Sequence, residues 1–169
     1  GDAAGDAVPT PTVVLLVRLF SIYMVKYARP SDAMWQWRYF APNEDGELPL
    51  FQGKGSLSLG GSFYVPTRSG DVLKLELQPQ PHFVYAATQQ EVTNQASHLH
   101  LNLRSYLVPS VDAGMLLVVR RFENHDSYVV AASHVFQVNL TEGTLTRLQD
   151  HKDISSRSIF LRSLTLGTH

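Results

Sequence analysis

Apolar and polar residues alternate with period two through most of this chain, and no long stretch holds the 3.6-residue period of an amphipathic helix, so it reads as a series of short strands. The signals agree best over residues 114–166. Met115-Leu116-Leu117-Val118-Val119 is an apolar, β-branched run closed by Arg120-Arg121, and residues 127–132 form a second run centred on Tyr128-Val129-Val130. A hairpin follows. Phe136, Val138 and Leu140 alternate with polar neighbours, Thr141-Glu142-Gly143 supplies the turn, and Leu145 and Leu148 resume the apolar phase beyond it.

The same grammar recurs upstream. Residues 1–12 are rich in Ala, Gly, Asp and Pro and are expected to be a disordered lead-in to a single β domain over residues 13–169. Residues 13–20 form an apolar strand, too short to span a bilayer and interrupted by Arg18. Residues 21–27 alternate loosely, and Arg29-Pro30-Ser31-Asp32 carries turn chemistry. Next, Trp35, Trp37 and Tyr39 share one strand face, with Gln36 and Arg38 opposite. Residues 41–49 are a loop and residues 53–61 a glycine-rich turn beside Phe63-Tyr64-Val65, while residues 71–77 and 81–87 are further strands. Residues 89–98 are polar, with one helical turn possible over 89–92. His98, His100 and Asn102 then alternate with Leu99, Leu101 and Leu103.

The apolar phases predict a core of Leu15, Val17, Leu73, Leu75, Leu117, Val119, Phe136, Val138 and Leu145. Two weak internal repeats accompany it. Leu15 to Phe20 matches Leu117 to Phe122 in register, and the Phe63, Val65, Gly70, Val72, Leu75 spacing matches Phe136, Val138, Gly143, Leu145, Leu148. Their offsets differ, so no single period is set. Repeated strand-turn-strand units without long helices predict an all-β fold of antiparallel units, a partial β-propeller of about three blades or a curved meander.

These stretches resemble a known family. Leu116-Leu117-Val118-Val119-Arg120-Arg121-Phe122, the run from Val135 to Asp150 and the closing Ser158-Ile159-Phe160-Leu161 are similar, in that order, to the C-terminal part of the plant F-box-associated family known as domain of unknown function 295. That family's usual Gly-Asp before the closing arginine is Ser155-Ser156 here. A second match runs through Phe51-Gln52-Gly53-Lys54, Gly61-Ser62-Phe63-Tyr64-Val65 and Ser69-Gly70-Asp71-Val72-Leu73, so the resemblance spans residues 46–166. It implies propeller-like blades and a protein-recruiting role beside a ubiquitin ligase. Residues 1–12 are too short for an F-box of their own.

Composition narrows the chemistry. In 169 residues, 14 Lys and Arg nearly balance 15 Asp and Glu, so the basic footprint of a nucleic-acid or anionic-membrane binder is missing. The local basic pair Arg120-Arg121 reads as a solvated strand terminus. With no cysteine, disulfides, thiolate zinc sites and thiol catalysis are excluded. Gly46 lies seven residues before Gly53 and Lys54 is followed by glycine, which breaks a P-loop frame, and Ser56-Leu57-Ser58-Leu59-Gly60 lacks the first glycine of a nucleophile elbow. His98 and His100 have no third ligand at a nearby spacing, and Glu123, His125 and Asp126 are the one tight acid-base cluster, set in a loop whose polarity turn formation accounts for. Asn139-Leu140-Thr141 is a sequon by chance, with no signal peptide before it.

The expected function is a non-enzymatic protein-interaction module needing no cofactor or metal. It is placed in cytoplasm or nucleus, with a protein partner, no nucleic acid, no membrane, and possible self-association through an open strand edge. The candidate surface is Trp35, Trp37, Tyr39, Arg120, Arg121 and His125. The alternatives are a hydrolase built on His125, or a small-ligand or glycan binder stacking on the Trp35, Trp37 and Tyr39 ladder, which by burial preference is expected to face a core.

Overall fold

The computed structural model describes residues 12–19, 22–40, 55–89, 103–122 and 130–148. These form eleven strands and no α-helix: β1 (Val13–Leu19), β2 (Ile22–Ala28), β3 (Gln36–Phe40), β4 (Leu57–Leu59), β5 (Ser62–Pro66), β6 (Val72–Glu76), β7 (His82–Ala87), β8 (Leu103–Ser110), β9 (Gly114–Phe122), β10 (Val130–Asn139) and β11 (Thr144–Arg147). Every named strand pair is antiparallel, and each sheet runs in chain order. The first sheet is β1-β2-β3, the central sheet β4-β5-β6-β7 and the third sheet β8-β9-β10-β11. The fold is an all-β set of meanders, and the described residues close no propeller.

Turn residues set where the chain reverses. The Arg29 amide donates to Asp32 Oδ2 (2.8 Å) and the Asp32 amide to the Arg29 carbonyl (2.9 Å), closing the β2–β3 turn predicted from Arg-Pro-Ser-Asp. Between β10 and β11 the Gly143 amide donates to the Asn139 carbonyl (2.9 Å), and Gly143 takes φ +68°, a conformation that a Cβ would strain. Asn139 Oδ1 accepts from the Thr141 and Glu142 amides, so the asparagine of the sequon caps this turn. The two runs read over 127–132 and 134–140 belong to one strand over their described residues, since β10 is continuous from Val130 and carries its irregularity as a register shift between Val130 and Ala132.

The three sheets stack face to face in chain order. Tyr23, Val25 and Phe40 of the first sheet meet Val65, Leu73 and Leu75 of the central sheet in one core. On the other side of the central sheet, Tyr64, Val72 and Ala87 meet Leu107, Met115, Leu117, Val119 and Val138. The central sheet is thus buried on both faces, which is why Val72 and Leu73 are adjacent and both buried. Two further links set the register of the stack. Arg38 Nη1 donates to Gln80 Oε1 (3.0 Å) and to the Pro81 carbonyl (2.9 Å), and Phe40 packs edge-on against Phe83 at 5.2 Å, so β3 lies beside β7. The Thr88 amide donates to the Gly143 carbonyl (3.1 Å), tying the outer ends of the central and third sheets together.

Most of the predicted core is buried: Leu73, Leu75, Leu117, Val119 and Val138. Phe136 and Leu145 are partly buried against the second core, and Val17 is half-buried. Leu15 is a correction, at 46% exposure. In β1 the inward phase is Val14 and Leu16, and a run apolar in both phases does not reveal which one meets the core. The third sheet's outward face differs from the first sheet's. Its Leu116, Val118 and Val135 are buried.

Candidate interaction surface

The outward face of the first sheet is built by the ladder registers. Leu15 pairs with Lys26 and Lys26 with Trp37, while Val17 pairs with Met24 and Met24 with Tyr39, so two rows of side chains cross the sheet on one face. Met24 is buried between its neighbours, and Lys26 lies half-buried between Leu15 and Trp37, where its methylene stem can cover apolar surface while the ammonium reaches water. Trp35, one residue before β3, shares the phase of Trp37 and Tyr39.

The period-two ladder is real, but its setting is the reverse of the expectation. Trp35 is 46% exposed, Trp37 59% and Tyr39 51%. The residues of β3 that face the central sheet are Arg38 and Phe40, and those two take the contacts that dock the first sheet. With Val13 and Leu15 also exposed, a three-stranded sheet presents a largely apolar face to solvent. Trp37 and Tyr39 have ring centroids 4.9 Å apart and planes 63° apart. Rings so inclined cannot both lie flat against one sugar or planar ligand, whereas they make an irregular anchor pair of the kind protein interfaces use.

The other candidates lie elsewhere. Arg120 and Arg121 project to opposite faces of the third sheet, beyond the central sheet from the tryptophans. The Arg120 guanidinium sits 5.9 Å from the Tyr106 ring centroid, and Arg121 is exposed. His125 with Glu123 and Asp126, and His98 with His100, lie outside the described residues.

Two histidine arrangements escaped the sequence reading. Arg147 Nη2 donates to His134 Nδ1 at 2.7 Å, and partial burial, reinforced by the charges of Arg147 and Arg121, pushes His134 below the usual histidine pKa. Its signal was the pairing of β10 with β9 and β11, a long-range register that no local pattern encodes. Glu76 and His82 are ladder partners whose side chains approach at 3.5 Å, with Lys74 on the same carboxylate at 3.2 Å. The Gln80 carbonyl lies 2.8 Å from His82 Nδ1 and accepts its hydrogen, which leaves Nε2 turned towards Glu76. A cleft of ≈ 350 Å³ between the β8–β9 and β10–β11 turns is lined by residues 112–115 and 137–141, among which Asp112 is the one ionisable side chain.

Among the described residues no three His, Asp or Glu side chains are grouped to hold a metal ion, and no helix is long and apolar enough to cross a membrane. Compared with known proteins, the chain matches no family model, no curated protein and no solved structure.

Proposed function

We propose that this chain is a non-enzymatic protein-interaction module whose contact surface is the outward face of its first sheet. The observation that carries the reading is the exposure of Trp35, Trp37 and Tyr39 beside Val13 and Leu15 on one sheet face. Burial of such side chains is the main source of interface free energy, and Trp and Tyr are the residues most often found as anchors. A protein partner fits better than a glycan because the inclined Trp37 and Tyr39 rings make no flat platform. The finer reading, recruitment of proteins to a ubiquitin ligase in cytoplasm or nucleus, is supported by the resemblance to the F-box-associated family.

A photoreactive amino acid in place of Trp37, with the same group in place of the exposed Arg104 on the third sheet as control, tests the surface. The expected result is a discrete protein adduct from position 37 that is absent from position 104 and disappears when Tyr39→Asp is added. Identical adducts from both positions would overturn the reading.

A further inference from the structure

The outward face of the first sheet has a charge at its centre. Lys26 stands in the middle strand, with Leu15 and Trp37 as its ladder partners on either side. Along the strands it lies between the row of Val13 and Ala28 and the row of Val17, Met24 and Tyr39. Of the outward positions in β1, β2 and β3, it is the one that carries a charge. A lysine here is therefore surrounded by apolar positions on all four sides.

The size of the face decides what becomes of that charge on binding. Three strands about 4.8 Å apart, seven residues long at about 3.3 Å each, make a face of roughly 14 by 23 Å, or about 300 Å². A stable protein contact covers about 800 Å² on each partner, so an occupant that covers Trp37 and Tyr39 covers Lys26 as well. Lys26 is half-buried before anything binds. Taking its ammonium the rest of the way out of water is strongly unfavourable unless the occupant brings a counter-charge.

From this we infer that the occupant of this face is an apolar segment of another protein carrying an Asp or Glu side chain that seats on the Lys26 ammonium. The inference rests on the reading of the chain as an interaction module and names the chemistry of the partner at that same surface. The carboxylate neutralises Lys26, and apolar side chains about 7 Å away on either side of it meet the flanking rows. Other occupants lack the counter-charge. A second copy laid face to face about a twofold axis brings the two Lys26 side chains towards each other. The interior of a lipid layer offers an ammonium no counter-ion, and an anionic lipid surface draws on clusters of Lys and Arg, where this face has one. A stretch of the same chain laid over the face would close off its rings, yet Trp37 is 59% and Tyr39 51% exposed.

The test uses the full chain and a displayed library of random short peptides. Peptides that bind the parent but not Trp37→Ser/Tyr39→Ser should carry an Asp or Glu between apolar residues. For one such peptide, synthesised and capped, Lys26→Met and Lys26→Gln should each weaken binding by about thirtyfold or more, while Lys26→Arg retains it. The sign is decisive, because Lys26→Met makes the face wholly apolar and would tighten any occupant held by apolar contact alone. A carbodiimide, which takes up the water lost as an amine and a carboxylate in contact form an amide, should join Lys26 to the acid of the peptide. Face-binding peptides without an acid, or binding unchanged or tighter in Lys26→Met, would overturn the inference and leave the aromatic surface standing. A carbodiimide link from Lys26 to an acid of its own chain or of a second copy, formed without peptide, would overturn it in favour of that occupant. A library in which no binder responds to Trp37→Ser/Tyr39→Ser would overturn the surface reading, and the inference with it.

Discussion

Gly55 shows how much a single missing Cβ can permit. A Cβ there would collide with the Ser105 carbonyl oxygen and come within 2.9 Å of Tyr106 Cα, both backbone atoms of β8, so glycine lets the central and third sheets approach where their first strands meet. Gly55→Ala should cost about 1–3 kcal/mol, the range for overpacking, and thermal unfolding measures it directly. His134 sets a pH dependence at the same scale. Its pKa is lowered on folding, so as pH falls through the ordinary histidine value of about 6.5 the unfolded chain takes up a proton first and stability drops, whereas above that value stability is unaffected. Urea midpoints at pH 7.5 and pH 5.5 should therefore diverge more for the parent chain than for His134→Gln. A midpoint difference unchanged by the substitution would mean that His134 is not the titrating group.

At the level of strands, phase decides which substitutions matter. Leu117→Ala removes a buried side chain from the core between the central and third sheets and should cost about 2–5 kcal/mol, while Leu15→Ala on the open face should cost within about 0.5 kcal/mol. Equal losses in the two variants would place Leu15 in a core after all. The contrast also marks the limit of pattern reading. Strand positions, the turns at Arg29 to Asp32 and at Gly143, and most core residues were legible because alternation and turn chemistry are local properties. The phase of β1 was not, since Val13 to Val17 is apolar on both sides and tertiary packing alone chooses between them. β4 was read as part of a glycine-rich turn because three residues are too few to show a period. The aromatic ladder was found by its spacing, but its exposure depends on Arg38 and Phe40 carrying the contact with the central sheet.

For the molecule as a whole, both tryptophans of the chain lie on the open face. The free chain should emit as indole does in water and be quenched by acrylamide about as readily as a free tryptophan derivative, because exposed rings keep their solvent contact. Blue-shifted, quencher-resistant emission would remove the basis for the proposed surface. Arg38 tests the docking of the first sheet. Arg38→Ala deletes two hydrogen bonds from a charged donor and should cost about 1.5–3 kcal/mol, with hydrogen exchange quickening in β2 and β3 before the other two sheets respond. The two ends of the stack are unlike: the first sheet turns Trp37 and Tyr39 to water, while Leu116, Val118 and Val135 on the far side of the third sheet are already covered. Head-to-tail growth needs a receptive surface at both ends of each unit, and among the described residues the far face of the third sheet shows no exposed apolar row to match that of the first sheet, so the two outer faces are not a complementary pair.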